Sequence, residues 1–203
     1  MARIEDIAAL RRIYPEPDAL IWKKTIDHLD AHCRAWIALS PFCALATQGP
    51  DGLGDVTPRG DEPGFARVLD ERTLLLPDRP GNNRIEALTN IIANPGVGLL
   101  FLIPGFDDAL RVNGVAEIRD DEELRSQCAV KGRLPATVIV VTVREAFIHC
   151  GKAIIRSRLW DPAAQRDRKS FPSLGEIFRD HTRHAEPPIS DETLYAGYAK
   201  TLY

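Results

Sequence analysis

An antiparallel β-barrel or sandwich flanked by helices is the architecture that this 203-residue sequence predicts. Three observations lead there. Between residues 42 and 143 the chain breaks into short apolar runs of strand length, separated by turn-forming residues. One of them, Thr137-Val-Ile-Val-Val-Thr-Val143, is almost wholly β-branched. Both ends of the chain instead carry apolar residues at helical spacing.

Taken in order, Ile4, Ile7, Ala8 and Leu10 form a first helical stripe, which Tyr14-Pro-Glu-Pro17 interrupts. Residues 20–39 then read as one helix, with Ile21, Trp22, Ile26, Leu29, Cys33 and Trp36 at helical spacing, and Ser40-Pro41 ends it. Strands are predicted over 42–47, 54–58, 66–69, 73–77, 96–103, 109–118 and 136–143. Two helices interrupt them: 82–93, ending at Asn94-Pro95, and 120–130, which opens with acids where a helix dipole favours them. From Gly151 the pattern is helical and polar again, through 173–181 and 190–203. The expected whole is a barrel of about six or seven strands with helices at both ends. Side chains fill the interior of so small a barrel, so a ligand belongs in an outer groove or between subunits.

Composition narrows the partners. Lys and Arg total 26 against 29 Asp and Glu, a net charge of -3, which lacks the basic surplus that bulk nucleic acid requires. The four cysteines, Cys33, Cys43, Cys128 and Cys150, are scattered with no CxxC pair, as in reduced cytosolic proteins. No apolar run approaches the ~20 residues of a membrane span. A soluble, cytoplasmic protein with neither membrane nor nucleic acid as partner is expected.

Three clusters could carry chemistry. In Leu74-Leu-Leu-Pro-Asp-Arg-Pro-Gly-Asn-Asn-Arg-Ile-Glu-Ala-Leu88 a strand runs through a Pro/Gly turn into a helix expected to start near Asn82. Free N–H groups at a helix start, with asparagine side chains and the guanidinium groups of Arg79 and Arg84, make a phosphate cradle. The alternative is a plain capping turn with two solvated arginines. In Asp55-Val-Thr-Pro-Arg-Gly-Asp61, backbone amides could approach a heteroaromatic edge while Arg59 supplies positive charge; the alternative is a turn with an Arg59–Asp61 salt bridge. In Phe147-Ile-His-Cys-Gly-Lys-Ala-Ile-Ile-Arg156, Lys152 and Arg156 fall at i, i+4 on one helical face, so their mutual repulsion suggests either an anion or a solvated basic face.

The order Thr57-Pro-Arg-Gly-Asp61, Pro80-Gly-Asn-Asn-Arg84, Asn94-Pro-Gly-Val-Gly-Leu-Leu-Phe101 and Leu110-Arg-Val-Asn-Gly-Val-Ala116 resembles the pyridoxamine 5'-phosphate oxidase-related flavin-binding proteins. His149-Cys-Gly-Lys-Ala-Ile-Ile-Arg156 is similar to a closing segment of their flavin-nucleotide-binding branch. The resemblance implies an FMN-binding split β-barrel over 41–160; the N-terminal helices (1–40) and the C-terminal helical extension (161–203) of the same single domain, read from the apolar spacing, lie outside it. It implies noncovalent FMN at a homodimer interface. Arg84, with Asn82 or Asn83, would take the phosphate. Thr57, Pro58, Arg59, Gly60 and Asp61, with Leu76, Pro77, Asp78 and Arg79, would line the ring and ribityl chain. Lys152 and Arg156 would reach in from the partner subunit. The implied activity is an FMN-dependent oxidoreductase fed by NAD(P)H or a small organic donor, with Arg59 stabilising charge on the reduced ring and no assignable proton donor.

The chain departs from the oxidase itself, which carries an Arg-x-Val-Leu-Leu-Lys strand and a Ser-Arg-Lys helix start where this sequence has Val-Thr-Pro-Arg-Gly-Asp and Asn-Asn-Arg. Pyridoxamine phosphate is therefore not the expected substrate. A rival reading is a non-catalytic flavin-binding or storage protein, or a haem-binding relative resting on His149 or on the helical histidine pairs outside the matched region. Dinucleotide and nucleotide-loop spacings fail at Thr57 and around Gly151, and the pairs His28/His32 and His181/His184 lack a nearby third metal ligand.

Overall fold

The computed structural model describes residues 3–202. Met1, Ala2 and Tyr203, which belong to the two terminal segments, lie outside the described residues. Among the described residues seven strands form one antiparallel sheet: β1 (Phe42–Gln48), β2 (Gly54–Gly60), β3 (Arg67–Val68), β4 (Thr73–Pro77), β5 (Gly96–Leu102), β6 (Ala109–Arg119) and β7 (Val138–His149), in the order β2-β1-β5-β6-β7-β4-β3. The helices are α1 (Ile7–Ile13), α2 (Ala19–Lys23), α3 (Ala31–Leu39), α4 (Glu86–Ala93), α5 (Glu122–Ser126), α6 (Lys152–Ser157), α7 (Leu174–Thr182) and α8 (Asp191–Thr201). None of them is long and apolar enough to cross a membrane.

Strand alternation builds the core. Cys43 and Leu45 of β1, Leu99 and Phe101 of β5, Leu110 and Val112 of β6, and Val141 and Val143 of β7 turn to one face, where Ile91 of α4 and Cys33 and Ile37 of α3 meet them. β4 is buried on both faces, which explains its unbroken Leu74-Leu75-Leu76 run: Leu75 packs on Val138 and Cys128 beneath Leu124 of α5. The register of β6 against β7 shifts between Asn113 and Gly114. A Cβ at Gly114 would collide with the Thr142 carbonyl, so this bulge requires glycine.

The expected helix over 20–39 is two helices. Between them Ile26 exchanges both backbone hydrogen bonds with Ala146 of β7, at 3.0 and 2.7 Å, and Asp30 caps α3 by accepting from the Cys33 N–H. Apolar spacing continued through 24–30, but the backbone there joins the sheet. The helix expected over 120–130 contracts to α5, and β7 runs six residues beyond the expected strand to His149. The strand expected over 66–69 is reduced to the two residues of β3.

Candidate functional site in the cleft between β2 and α4

Period-two alternation along β2 turns Asp55, Thr57 and Arg59 towards α4, while Val56, Pro58 and Gly60 face the opposite side of the sheet. β4 delivers its exit turn to the same corner, held by the Asp78 N–H donating to the Thr137 carbonyl at 3.0 Å. Two ion pairs stitch strand and turn crosswise: Arg59 Nη1 to Asp78 Oδ1 at 2.7 Å, and Arg79 Nε to Asp61 Oδ2 at 2.6 Å. The local Arg59–Asp61 bridge that the sequence allows is thus replaced by an exchange of partners. Arg79 also donates to the Cys128 carbonyl at 2.9 Å, which anchors the turn from below.

The helix expected from Asn82 starts four residues later, at Glu86. Residues 82–85 are instead an irregular loop in which Asn83 (φ 60°) and Ile85 (φ 48°) adopt left-handed conformations. Asparagine tolerates that region, but a β-branched isoleucine does so only at a cost on the order of 1–3 kcal/mol. The Asn82 side chain accepts from the Arg84 N–H at 3.0 Å, and no side chain caps α4. A helix start that no side chain caps adds its dipole to the guanidinium groups of Arg59, Arg79 and Arg84, which favours an anion at this corner.

A cleft of about 290 Å³ results, bounded by Thr57, Arg59, Asp78, Arg79 and residues 81–87. Two buried polar atoms on its walls have no hydrogen-bond partner: Thr57 Oγ1 and Arg59 Nε. Behind the cleft, the buried Asn90 donates from Nδ2 to Thr47 Oγ1 at 3.1 Å and to Asp55 Oδ2 at 3.2 Å, tying α4 to β1 and β2. The thiols offer no nucleophile there: burial pushes Cys43, which pairs with Arg59 in the β1–β2 ladder, up to about 12.

Of the residues singled out in the sequence, Thr57, Arg59, Asp78, Arg79, Asn82, Asn83 and Arg84 line the cleft. Pro58 and Gly60 lie on the other face of β2, Leu76 and Pro77 are buried, and Asp61 sits behind the wall under Arg79. Lys152 and Arg156 do share one short helix, both exposed. That helix follows the far end of β7 from the residue facing Pro77, roughly 35 Å of strand away. His149 is likewise remote, on an open apolar sheet face with Arg111 and Asn113; burial, then Arg111 and Lys24, hold its pKa below the usual imidazole value. Sequence reasoning missed Glu86, whose position two residues after Arg84 was the available signal, and Asn90, which has none in a single sequence.

Residues 29–150 match the family model described as "Pyridoxamine 5'-phosphate oxidase". The chain belongs to this family. No curated protein matches it. Among solved structures, a variant of HupZ from Group A Streptococcus has a TM-score of 0.50 and 18% identity, covering 60% of this chain and 99% of that one. Rv2991 from Mycobacterium tuberculosis has a TM-score of 0.46 and 18% identity, covering 62% and 86%. General Stress Protein 26 from Bacillus anthracis has a TM-score of 0.42 and 16% identity, covering 58% and 93%. The fold is the family's split barrel, and the match stops short of both terminal helical segments.

Proposed function

We propose that the chain is an FMN-dependent oxidoreductase that works as a homodimer. The observation that carries this reading is the pair of unpartnered buried atoms, Thr57 Oγ1 and Arg59 Nε, on a cleft whose other wall is an uncapped, left-handed loop bearing Arg84. Polar atoms left unpaired in a folded interior cost about 1–3 kcal/mol each, a cost that a ligand is able to recover only where a small shift of the wall lets it reach them. The donor set suits FMN. Arg84, the Asn82–Asn83 turn and the amides before α4 would hold the phosphate; Thr57, Arg59, Asp78 and Arg79 would face the rest of the molecule.

Bound there, the flavin would supply the electron transfer itself. The protein contributes orientation and charge. Arg59, held by Asp78, offers a fixed positive group beside the cleft, an electrostatic rather than acid-base role. Dimerisation is supported by the sheet's outer face, where Ala44, Ala46, Val56, Gly98 and Leu100 form an apolar surface on the reverse of the cleft-lining strand. A second copy seated there would also give Lys152 and Arg156, which carry no ion pair in the described chain, an anion to meet.

The test is spectroscopic. Purified protein should show a flavin absorption band that bleaches anaerobically with NADH, NADPH or a small organic reductant. A yellow protein that none of these reduces would reduce the reading to flavin binding alone; a protein that neither contains nor takes up FMN would end it.

A further inference from the structure

The three arginines around the cleft are each paired with a carboxylate, but the pairs differ in how firmly they are made. Asp61, only 3% exposed, receives Arg79, which also holds the Cys128 carbonyl. Arg59 and Asp78 are both mostly buried. Arg84 and Glu86 meet at 3.0 Å with side chains 72% and 50% exposed. An exposed pair of this kind is stabilised so little that a better partner replaces either member.

Glu86 is also the first residue of α4, at a helix start that no side chain caps. Its carboxylate therefore takes up the guanidinium group and the helix dipole that the proposed phosphate would use. We infer that Glu86 is an internal competitor of the ligand's phosphate and sets its affinity: it holds Arg84 when the cleft is free, must yield it when a phosphate dianion enters, and then remains as a nearby like charge. The consequence is a phosphorylated ligand held up to about tenfold more weakly than the same cleft would hold it without that charge. This inference rests on the FMN reading above.

The experiment compares the ligand-free full-length wild type with Glu86→Gln, which keeps the side chain's shape and removes its charge. FMN and riboflavin are titrated by fluorescence quenching, with far-UV circular dichroism confirming equal folding. Two unit charges against one at about 6 Å in water change affinity roughly tenfold at most, less in salt. Glu86→Gln should accordingly bind FMN about two- to tenfold tighter at low ionic strength. The gain should shrink as salt rises, and riboflavin, which has no phosphate, should bind both proteins alike. Unchanged or weaker FMN binding by Glu86→Gln, while the wild type binds FMN, overturns the competitor role and leaves the FMN reading standing. An equal gain for riboflavin also overturns it, since Glu86 would then act on the ring. Failure of both proteins to bind FMN overturns the cofactor reading together with this inference.

Discussion

Arg84 and Arg59 approach the cleft with different freedom, and the difference predicts different losses. Arg84 projects from an exposed loop and is paired only to the exposed Glu86, so Arg84→Ala should leave folding intact while removing a charge-assisted contact to the phosphate. About 1.5–3 kcal/mol, or roughly ten- to a hundredfold in FMN affinity, is expected by titration; flavin content unchanged after dialysis would contradict it. Arg59 is mostly buried against Asp78, so Arg59→Ala should destabilise the apoprotein as well, seen as a lowered Tm, by stranding a mostly buried carboxylate. The thiols provide an independent check on burial. Cys33 is pushed up to about 11 and Cys43 to about 12, first of all by burial, and Cys128 is also raised, whereas Cys150 is exposed. A thiol reagent near neutral pH should modify at most Cys150 before unfolding and release the other three sites in denaturant. Rapid modification of three or four thiols in the folded protein would be inconsistent with this core.

Among the elements, α4 decides whether the cleft has a fixed shape, and Asn90 is its attachment. Its side-chain amide donates across to both β1 and β2, so Asn90→Leu strands Thr47 and Asp55. A loss of about 1–3 kcal/mol in chemical denaturation is expected, together with weaker FMN binding because one wall is no longer tethered. The same elements show what can be read from sequence alone. The alternating residues of β1 and β5 and the doubly buried run in β4 announce their strands, since burial imposes a period the eye can find. The stretch from Ala19 to Leu39 misleads because helical spacing of Ile21, Trp22, Ile26 and Leu29 is indifferent to Ile26 giving its backbone to β7. The loop at 82–85 misleads for a related reason: Asn-Asn-Arg before an apolar run looks like a helix cap, and only the left-handed backbone at Asn83 and Ile85 postpones the helix to Glu86. Alternation along β2 would have separated Thr57 and Arg59 from Pro58 and Gly60, whereas the crosswise pairing of Arg59 with Asp78 and Arg79 with Asp61 depends on two strands that the sequence cannot bring together unaided.

At the scale of the whole molecule, exposed apolar side chains concentrate away from the barrel's core. No residue of α1, α2, α7 or α8 is buried, although Ile7, Ile13, Leu20, Trp22, Phe178 and Tyr195 all lie on them, and the outer face of the barrel is apolar too. Surfaces of this kind are normally covered by association. Sedimentation should therefore report twice the 22.6 kDa chain mass. If the partner's α6 completes the site, the combined Lys152→Ala and Arg156→Ala variant should bind FMN more weakly while remaining dimeric; unaltered affinity would remove the cross-subunit contribution. The claim beneath all of these is that a phosphorylated flavin belongs in the corner between β2 and α4. It is tested most directly by denaturing the purified native protein and identifying the small molecule released: FMN, approaching one per chain and depleted in Arg84→Ala, is the predicted result, and a different compound, or FMN released equally by both proteins, would contradict it.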